Sequence, residues 1–173
     1  MSTAQDFRPK ACGASFKNIS SFASNAAESM GFKPSDNIED VIKIFGGLVV
    51  FNPDGAQGAS TISVTSEKKF TITVPAHWTP LWKRYAIAHE FAHFVLHSSC
   101  GEKPIEAKFS IGEAALERVE LEAHAFACSF LVPDKELEAA NLENKDDLLA
   151  LSAHFWVPPS VISYRLDSKD GTE

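Results

Sequence analysis

The sequence predicts an α+β fold in which a small sheet lies beside a long helix and the C-terminal part is helical. Three patterns support this fold class. Short β-rich runs separated by turn residues lie between residues 48 and 74. Residues 81–97 and 113–132 are two apolar-rich stretches that contain neither glycine nor proline, which favours two helices.

Two further helices are predicted before the sheet, at residues 15–30 and 37–45. Ser35, Asp36 and Asn37 are residues that commonly cap the start of a helix, and Gly46 ends the second one.

The sheet is predicted from three β-rich runs that turn-forming residues separate. Asn52-Pro-Asp-Gly follows the first run, and Ser66-Glu-Lys follows the second. Such spacing is typical of an antiparallel meander, so we expect a three-stranded antiparallel sheet. The runs cover residues 48–51, 60–65 and 69–74.

The helix at residues 81–97 contains the motif HExxH, formed by His89, Glu90 and His93. On a helix the two histidines project from one face, where both imidazoles can bind one zinc ion. Glu90 lies beside them and can act as a general base toward a water molecule. The alternative is a pair of core histidines, which would need buried polar partners at both positions. The motif therefore indicates metal-assisted hydrolysis, most often of a peptide bond.

A catalytic zinc ion needs a third protein ligand, and the helix at residues 113–132 offers two carboxylates. Glu120 and Glu122 flank its apolar stripe on opposite sides, and Glu120 lies slightly nearer the middle. We therefore expect Glu120 to be the third ligand, with Glu122 as the reserve candidate. The alternative for either residue is an ordinary solvated glutamate at the edge of an amphipathic helix.

Two stretches of the chain resemble the ImmA/IrrE-type metallopeptidases of bacteria and their phages. Residues 84–97 (RYAIAHEFAHFVLH) are similar to that family's Arg-aromatic-x-x-Ala-HExxH run, and residues 120–133 (ELEAHAFACSFLVP) to its E-x-E-A-N segment. The resemblance implies a small zincin-like metallopeptidase domain. It also implies that His89, His93 and Glu120 bind one zinc ion per chain and that Glu90 is the catalytic base.

The chain departs from the family pattern at two positions. Ala92 replaces the usual glycine with another small residue, and His124 replaces the usual asparagine. His124 follows Glu120 by one helical turn, so it can bond a ligand imidazole or contact substrate. A fourth-ligand role, which would close the metal site, stays open.

Four more polar residues are candidates for supporting roles. His97 lies one turn beyond His93 and is expected to contact a ligand or the core rather than the metal. The candidates for stabilising an oxyanion are Arg84 and Tyr85, near the start of the helix, and His77, in the loop before it. Tyr85 and His77 are also candidates for contacting substrate.

Length and composition predict a single domain. The chain has 173 residues, 45% of them hydrophobic, which suffices for one core. We expect the domain to span residues 15–167, with disordered tails at 1–14 and 168–173. Three cysteines without a CxxC pair indicate neither a disulfide framework nor a thiolate zinc site. No signal peptide or membrane span is recognisable, which predicts a cytoplasmic protein without a membrane partner.

The charge argues against nucleic-acid binding. The formal net charge is -7, and lysine and arginine are scattered along the chain. Residues 145–166 have the outline of a helix-turn-helix, but Arg165 is the basic residue that its second helix offers. We expect this segment to form the C-terminal end of the domain. We also expect it to serve in packing or substrate recognition rather than in DNA contact.

By the resemblance, the expected function is a zinc-dependent endopeptidase whose protein substrate is a helix-turn-helix repressor of a phage, mobile-element or stress-response regulon. The alternative is a regulatory protein-binding module, part of a toxin-antitoxin or repressor pair, that keeps a structural metal site. The intact Glu90 favours the enzyme, since a structural zinc ion does not require a general base.

Overall fold

The structure is a computed structural model that describes residues 11–53, 59–65, 69–98, 106–108 and 118–169. Within these ranges the α+β fold that the sequence predicts is confirmed. Seven helices are present, namely α1 (Phe16–Ser29), α2 (Ile38–Ile44), α3 (Pro80–His97), α4 (Arg118–Leu131), α5 (Asp134–Asn144), α6 (Leu148–Phe155) and α7 (Pro159–Lys169). The strands are β1 (Gly47–Asn52), β2 (Thr61–Val64), β3 (Phe70–Pro75) and β4 (Glu106–Lys108).

The prediction of a three-stranded antiparallel meander is wrong. Among the described residues the sheet has four strands in the order β1-β3-β2-β4, and it is mixed. β1 runs parallel to β3, whereas β2 is antiparallel to both β3 and β4. Apolar alternation identifies a strand and its buried face, but it does not identify the neighbouring strand, which tertiary packing selects. After β1 the chain therefore crosses to the far side of β3 before β2 begins.

One face of the sheet packs against α3, as the sequence predicts. Ile62, Ile72 and Val74 are buried on this face. The Phe70 ring stacks on Phe94 of α3 with centroids 4.1 Å apart, and it also contacts Phe91 at 6.2 Å. These apolar contacts hold the middle of α3 against the strands, since burial of aromatic surface is strongly favourable.

The helix α3 starts where the sequence provides a cap. The side chain of Thr79 accepts a hydrogen bond from the backbone N–H of Trp82, and Pro80 occupies the first turn, where its missing N–H costs nothing. α4 packs along α3, with the rings of Phe91 and Phe126 6.2 Å apart. α1 also packs on α4, with the rings of Phe22 and Phe126 6.1 Å apart. The two central helices are thereby fixed side by side.

The chain ends differ from the predicted tails. Residues 1–10 and 170–173 lie outside the described residues. Residues 11–14 have no regular structure, yet the backbone N–H groups of Cys12 and Gly13 donate hydrogen bonds to Glu122 of α4. α7 continues to Lys169, two residues past the predicted domain end. The hydrogen bonds of Cys12 and Gly13 and the last two residues of α7 therefore lie in stretches that the sequence assigns to disordered tails.

The C-terminal segment forms two helices, α6 and α7, joined by a turn in which Trp156 adopts a left-handed conformation with φ 54°. Arg165 of α7 is 2% exposed. Its guanidinium donates to the carbonyl oxygen of Val132 and to the carboxylate of Asp134. This arginine therefore holds α7 against the start of α5 and is not available to a phosphate. Across the described helices, none combines the length and apolar character needed to span a bilayer.

Replacement of Gly47 with alanine is expected to destabilise the fold by about 1–3 kcal/mol, because added core volume forces neighbours to move. A β-carbon there would lie 2.6 Å from Cγ2 of Ile42 and still closer to the Phe70 ring. The Phe70 ring cannot yield, since it is stacked on Phe94. Urea unfolding measures the effect, with the exposed Ser63→Ala as control within about 0.5 kcal/mol of the wild type. An unchanged Gly47→Ala variant would contradict this packing.

Candidate metal centre

The helix α3 presents His89 and His93 four residues apart, so both rings point from the same side. Their Nε2 atoms lie 3.3 Å from each other. The side chain of His93 is 3% exposed and that of His89 is 13% exposed. The HExxH histidines thus meet at one point that is mostly shielded from solvent.

Glu120 of α4 reaches the same point from the neighbouring helix. Its Oε2 lies 3.0 Å from Nε2 of His89, and its Oε1 lies 3.3 Å from Nε2 of His93. One donor atom from each of the three residues lies within 4.8 Å of the other two, and among the described residues they form the group that could hold a metal ion. Glu122, the reserve candidate, is not in this group.

The three residues fit a divalent metal ion by their chemistry. Burial lowers the pKa of His93 to about 4, so its imidazole is neutral and has a lone pair to offer. Burial also acts to raise the pKa of Glu120, but the contacts with His89 and His93 outweigh it and hold this pKa well below its usual range. Oε1 of Glu120 is buried without a hydrogen-bond partner. Two imidazole nitrogens and one carboxylate oxygen suit zinc and leave a coordination position open.

Glu90 follows His89 on α3 and is fully buried. Its Oε1 accepts a hydrogen bond of 2.6 Å from the hydroxyl of Ser60, and its Oε2 is buried without a partner. Burial raises the pKa of Glu90 to about 7. A carboxyl group with such a pKa can both take and release a proton near neutral pH.

Ser60 is a residue that sequence reasoning missed. It lies just before β2 and is 3% exposed. In the sequence it is one polar residue at the edge of a β-rich run, 30 positions before its partner Glu90. No local pattern distinguishes it, because a long-range contact of this kind depends on how the sheet packs against α3.

His97 and Glu122 lie on the far side of His93 from His89 and Glu120. Nδ1 of His97 is 3.0 Å from Nδ1 of His93, and Nε2 of His97 is 3.0 Å from Oε2 of Glu122. Glu122 also accepts from Nε of Arg118 at 2.9 Å and from the backbone of Cys12 at 2.8 Å. His97 therefore contacts His93 and is not one of the three residues that converge, and its expected role beside a ligand or in the core stays a prediction.

Tyr85 and His124 lie behind His89. The hydroxyl of Tyr85 is 2.7 Å from Nδ1 of His124 and 3.4 Å from Nδ1 of His89. Burial raises the pKa of Tyr85 well above its usual value, so the hydroxyl keeps its proton. His124 thus connects to His89 through Tyr85, and it does not join the three residues that converge.

His77 is exposed in the turn between β3 and α3, and it takes no part in the hydrogen bonds described above. Arg84 points away from the three converging residues. Its guanidinium donates to the carbonyl oxygens of Pro34 and Asp36 and lies over the ring of Phe32. Arg84 therefore ties α3 to the segment before α2.

Comparison with known proteins adds one finding. A family model described as the IrrE N-terminal-like domain, Peptidase M78, matches residues 42–167, which is more than half of the chain. The matched region includes α3 and α4 and therefore every residue of the converging group. No curated protein matches the chain.

Proposed function

The chain belongs to the Peptidase M78 family with its IrrE N-terminal-like domain, and on this basis we propose that it is a zinc-dependent endopeptidase. The observation that carries the proposal is the meeting of His89, His93 and Glu120, with the fully buried Glu90 adjacent to His89 on α3. Family membership alone suggests a metallopeptidase. The three converging donor residues are the proposed metal ligands, and the buried carboxyl group of Glu90 is the proposed catalytic group.

In the proposed site His89, His93 and Glu120 hold one zinc ion. A bound zinc ion would supply Lewis-acid chemistry, suited to polarising a peptide carbonyl and to making water more acidic. Tyr85 and His97 contact the outer nitrogens of the two histidines and fix the orientation of their rings.

Glu90 is the proposed general base and then the general acid. Its Oε2 has no hydrogen-bond partner, so it can accept the proton of the attacking water, while Ser60 holds Oε1. The same carboxyl group then delivers the proton to the leaving amine nitrogen. Its pKa near 7, raised by burial, suits both steps.

The substrate we propose is a transcriptional repressor with a helix-turn-helix domain, acting in a phage, mobile-element or stress-response regulon. The support is the resemblance of residues 84–97 and 120–133 to the ImmA/IrrE-type enzymes, and a repressor substrate places the activity in the cytoplasm. In the test, the zinc-loaded protein is incubated with the repressor whose gene neighbours its own. The products are then identified by mass spectrometry. An intact repressor would exclude this substrate.

The alternative, a binding module with a structural metal site, leaves Glu90 unexplained. A fully buried carboxyl group with one unpaired oxygen is costly to maintain. A structural site gains nothing from it, whereas a hydrolase requires it.

Replacement of Ser60 with alanine is expected to lower peptidase activity about 10- to 100-fold without loss of zinc. The hydroxyl bonds Glu90, and a hydrogen bond to a charged group contributes roughly 1.5–3 kcal/mol. Hydrolysis of a peptide library, together with zinc content, measures the effect. Ser129→Ala is the matched control, since Ser129 is equally buried and its hydroxyl has no hydrogen-bond partner. Full activity in Ser60→Ala would show that Glu90 needs no such support.

A further inference from the structure

Behind His93, a second carboxylate and a third histidine form a buried chain of hydrogen bonds. The side chains of His97 and Glu122 are both 0% exposed. From Glu122 the chain runs to Nε2 of His97, across the ring to Nδ1, and from there to Nδ1 of His93. Every contact in it is 3.0 Å. The proposed metal site uses the opposite nitrogen of His93, Nε2. His97 and Glu122 therefore do not contact the ion themselves, and their burial beside His93 needs another explanation.

The partners of Glu122 define the direction of these hydrogen bonds. The backbone N–H groups of Cys12 and Gly13 and Nε of Arg118 all point to its carboxylate, and each of them can only donate. The cationic Arg118 favours the ionised carboxylate as well. Glu122 therefore accepts from its fourth neighbour, and Nε2 of His97 carries a proton.

The proton positions then follow one another along the chain. A neutral His97 with its proton on Nε2 has a lone pair on Nδ1, which accepts the Nδ1–H of His93. The remaining nitrogen of His93, Nε2, has a lone pair. That nitrogen lies 3.3 Å from Oε1 of Glu120 and 3.3 Å from Nε2 of His89, the two groups with which it would share a metal ion.

We propose that Glu122 and His97 are positioning residues that keep the proton of His93 on Nδ1 and direct its Nε2 lone pair toward the metal. An imidazole without such a partner can carry its proton on either nitrogen, and only one of the two forms binds a metal through Nε2. The inference rests on the proposed function for the identity of the metal. The N-terminal segment contributes through Cys12 and Gly13, which help to hold Glu122 in place.

The proton positions are read directly from ¹⁵N shifts and proton couplings of the histidine rings in the metal-free wild-type protein. We expect the Nε2–H form for His97 and the Nδ1–H form for His93. A proton on Nδ1 of His97, or on Nε2 of His93, would overturn the proposal. This measurement needs no variant, so it does not depend on whether a substituted protein folds.

Zinc affinity, measured by competition with a chelator, tests the consequence. His97→Phe keeps a ring but removes both nitrogens, and it should weaken zinc binding about 10- to 100-fold, as for other partners of metal ligands. His97→Gln should keep most of the affinity, because an amide oxygen can accept from His93 while its NH₂ group donates to Glu122. Wild-type affinity in His97→Phe, or equal weakness in both variants, would overturn the proposal.

The same two replacements at His154 serve as matched controls, since His154 is an exposed histidine on α6 that contacts the neighbouring Phe155 ring. Neither should alter zinc affinity. If the wild type binds no zinc, the proposed function fails, whereas the tautomers of His93 and His97 in the metal-free protein still decide this inference. The two failures are therefore distinguishable.

Discussion

Replacement of Glu90 with glutamine should reduce peptide hydrolysis by about 10²- to 10⁴-fold, the usual contribution of a positioned general base. Glutamine has nearly the same shape and can still accept the hydrogen bond from Ser60. It cannot take up a proton, because the amide is not basic. The loss therefore lies in proton transfer, and the fold and the proposed metal ligands are left in place.

The experiment compares Glu90→Gln with the wild type in two assays, peptide-library hydrolysis and zinc content by elemental mass spectrometry. We expect the variant to retain one zinc ion per chain. Its stability should equal or exceed that of the wild type, since a buried ionisable group is removed. Activity at the wild-type level would remove Glu90 from the mechanism. Loss of zinc as well would instead mean that Glu90 is needed to form the site.

The second large effect concerns the metal. His93→Ala and Glu120→Ala are each expected to lower the zinc content from one ion per chain to nearly none. A site with two remaining protein ligands is too weak to retain zinc through purification, since structural and catalytic zinc sites have at least three. Elemental mass spectrometry after gel filtration measures the content directly.

Glu122→Gln is the comparison for Glu120→Ala, because Glu122 lies on the same helix and also has a carboxylate side chain. It faces His97, Arg118 and the N-terminal segment rather than the converging group. We expect it to keep its zinc when the ion is supplied in excess. If Glu122→Gln loses zinc completely while Glu120→Ala retains it, the assignment of the third ligand is reversed. If the folded wild type takes up no zinc, the proposed function fails.

Local signals in the sequence were sufficient for most of the helices and for the positions of β1, β2 and β3, whereas α5 and the short strand β4 were not predicted. Thr79 and Pro80 start α3, and Asn37 caps α2, as expected from residue preferences at helix ends. The spacing of His89 and His93 needs only a helix to bring their rings together. Glu120 was favoured over Glu122 from a small difference in helical position, and it is Glu120 that meets the two histidines.

Strand order could not be predicted in the same way. Each of the three predicted runs is a strand, yet the sheet is mixed because β2 pairs on the far side of β3 from β1. Short turn-rich connections favour a meander, and this preference was overruled by packing against α3. The turn at residues 66–68 and the second half of the turn at 52–55 lie outside the described residues.

The sequence by itself determined the α+β class, the HExxH helix and the choice of residues that could bind a metal, because these depend on periodicity and on spacing within single helices. Only the tertiary structure decided that Ser60 holds Glu90, that Glu122 supports His97, and that Tyr85 links His124 to His89. The first two contacts join residues 25 or more positions apart, and His124 lies 39 positions from Tyr85. Such contacts depend on how helices and strands pack, and no local pattern of residue types records that packing.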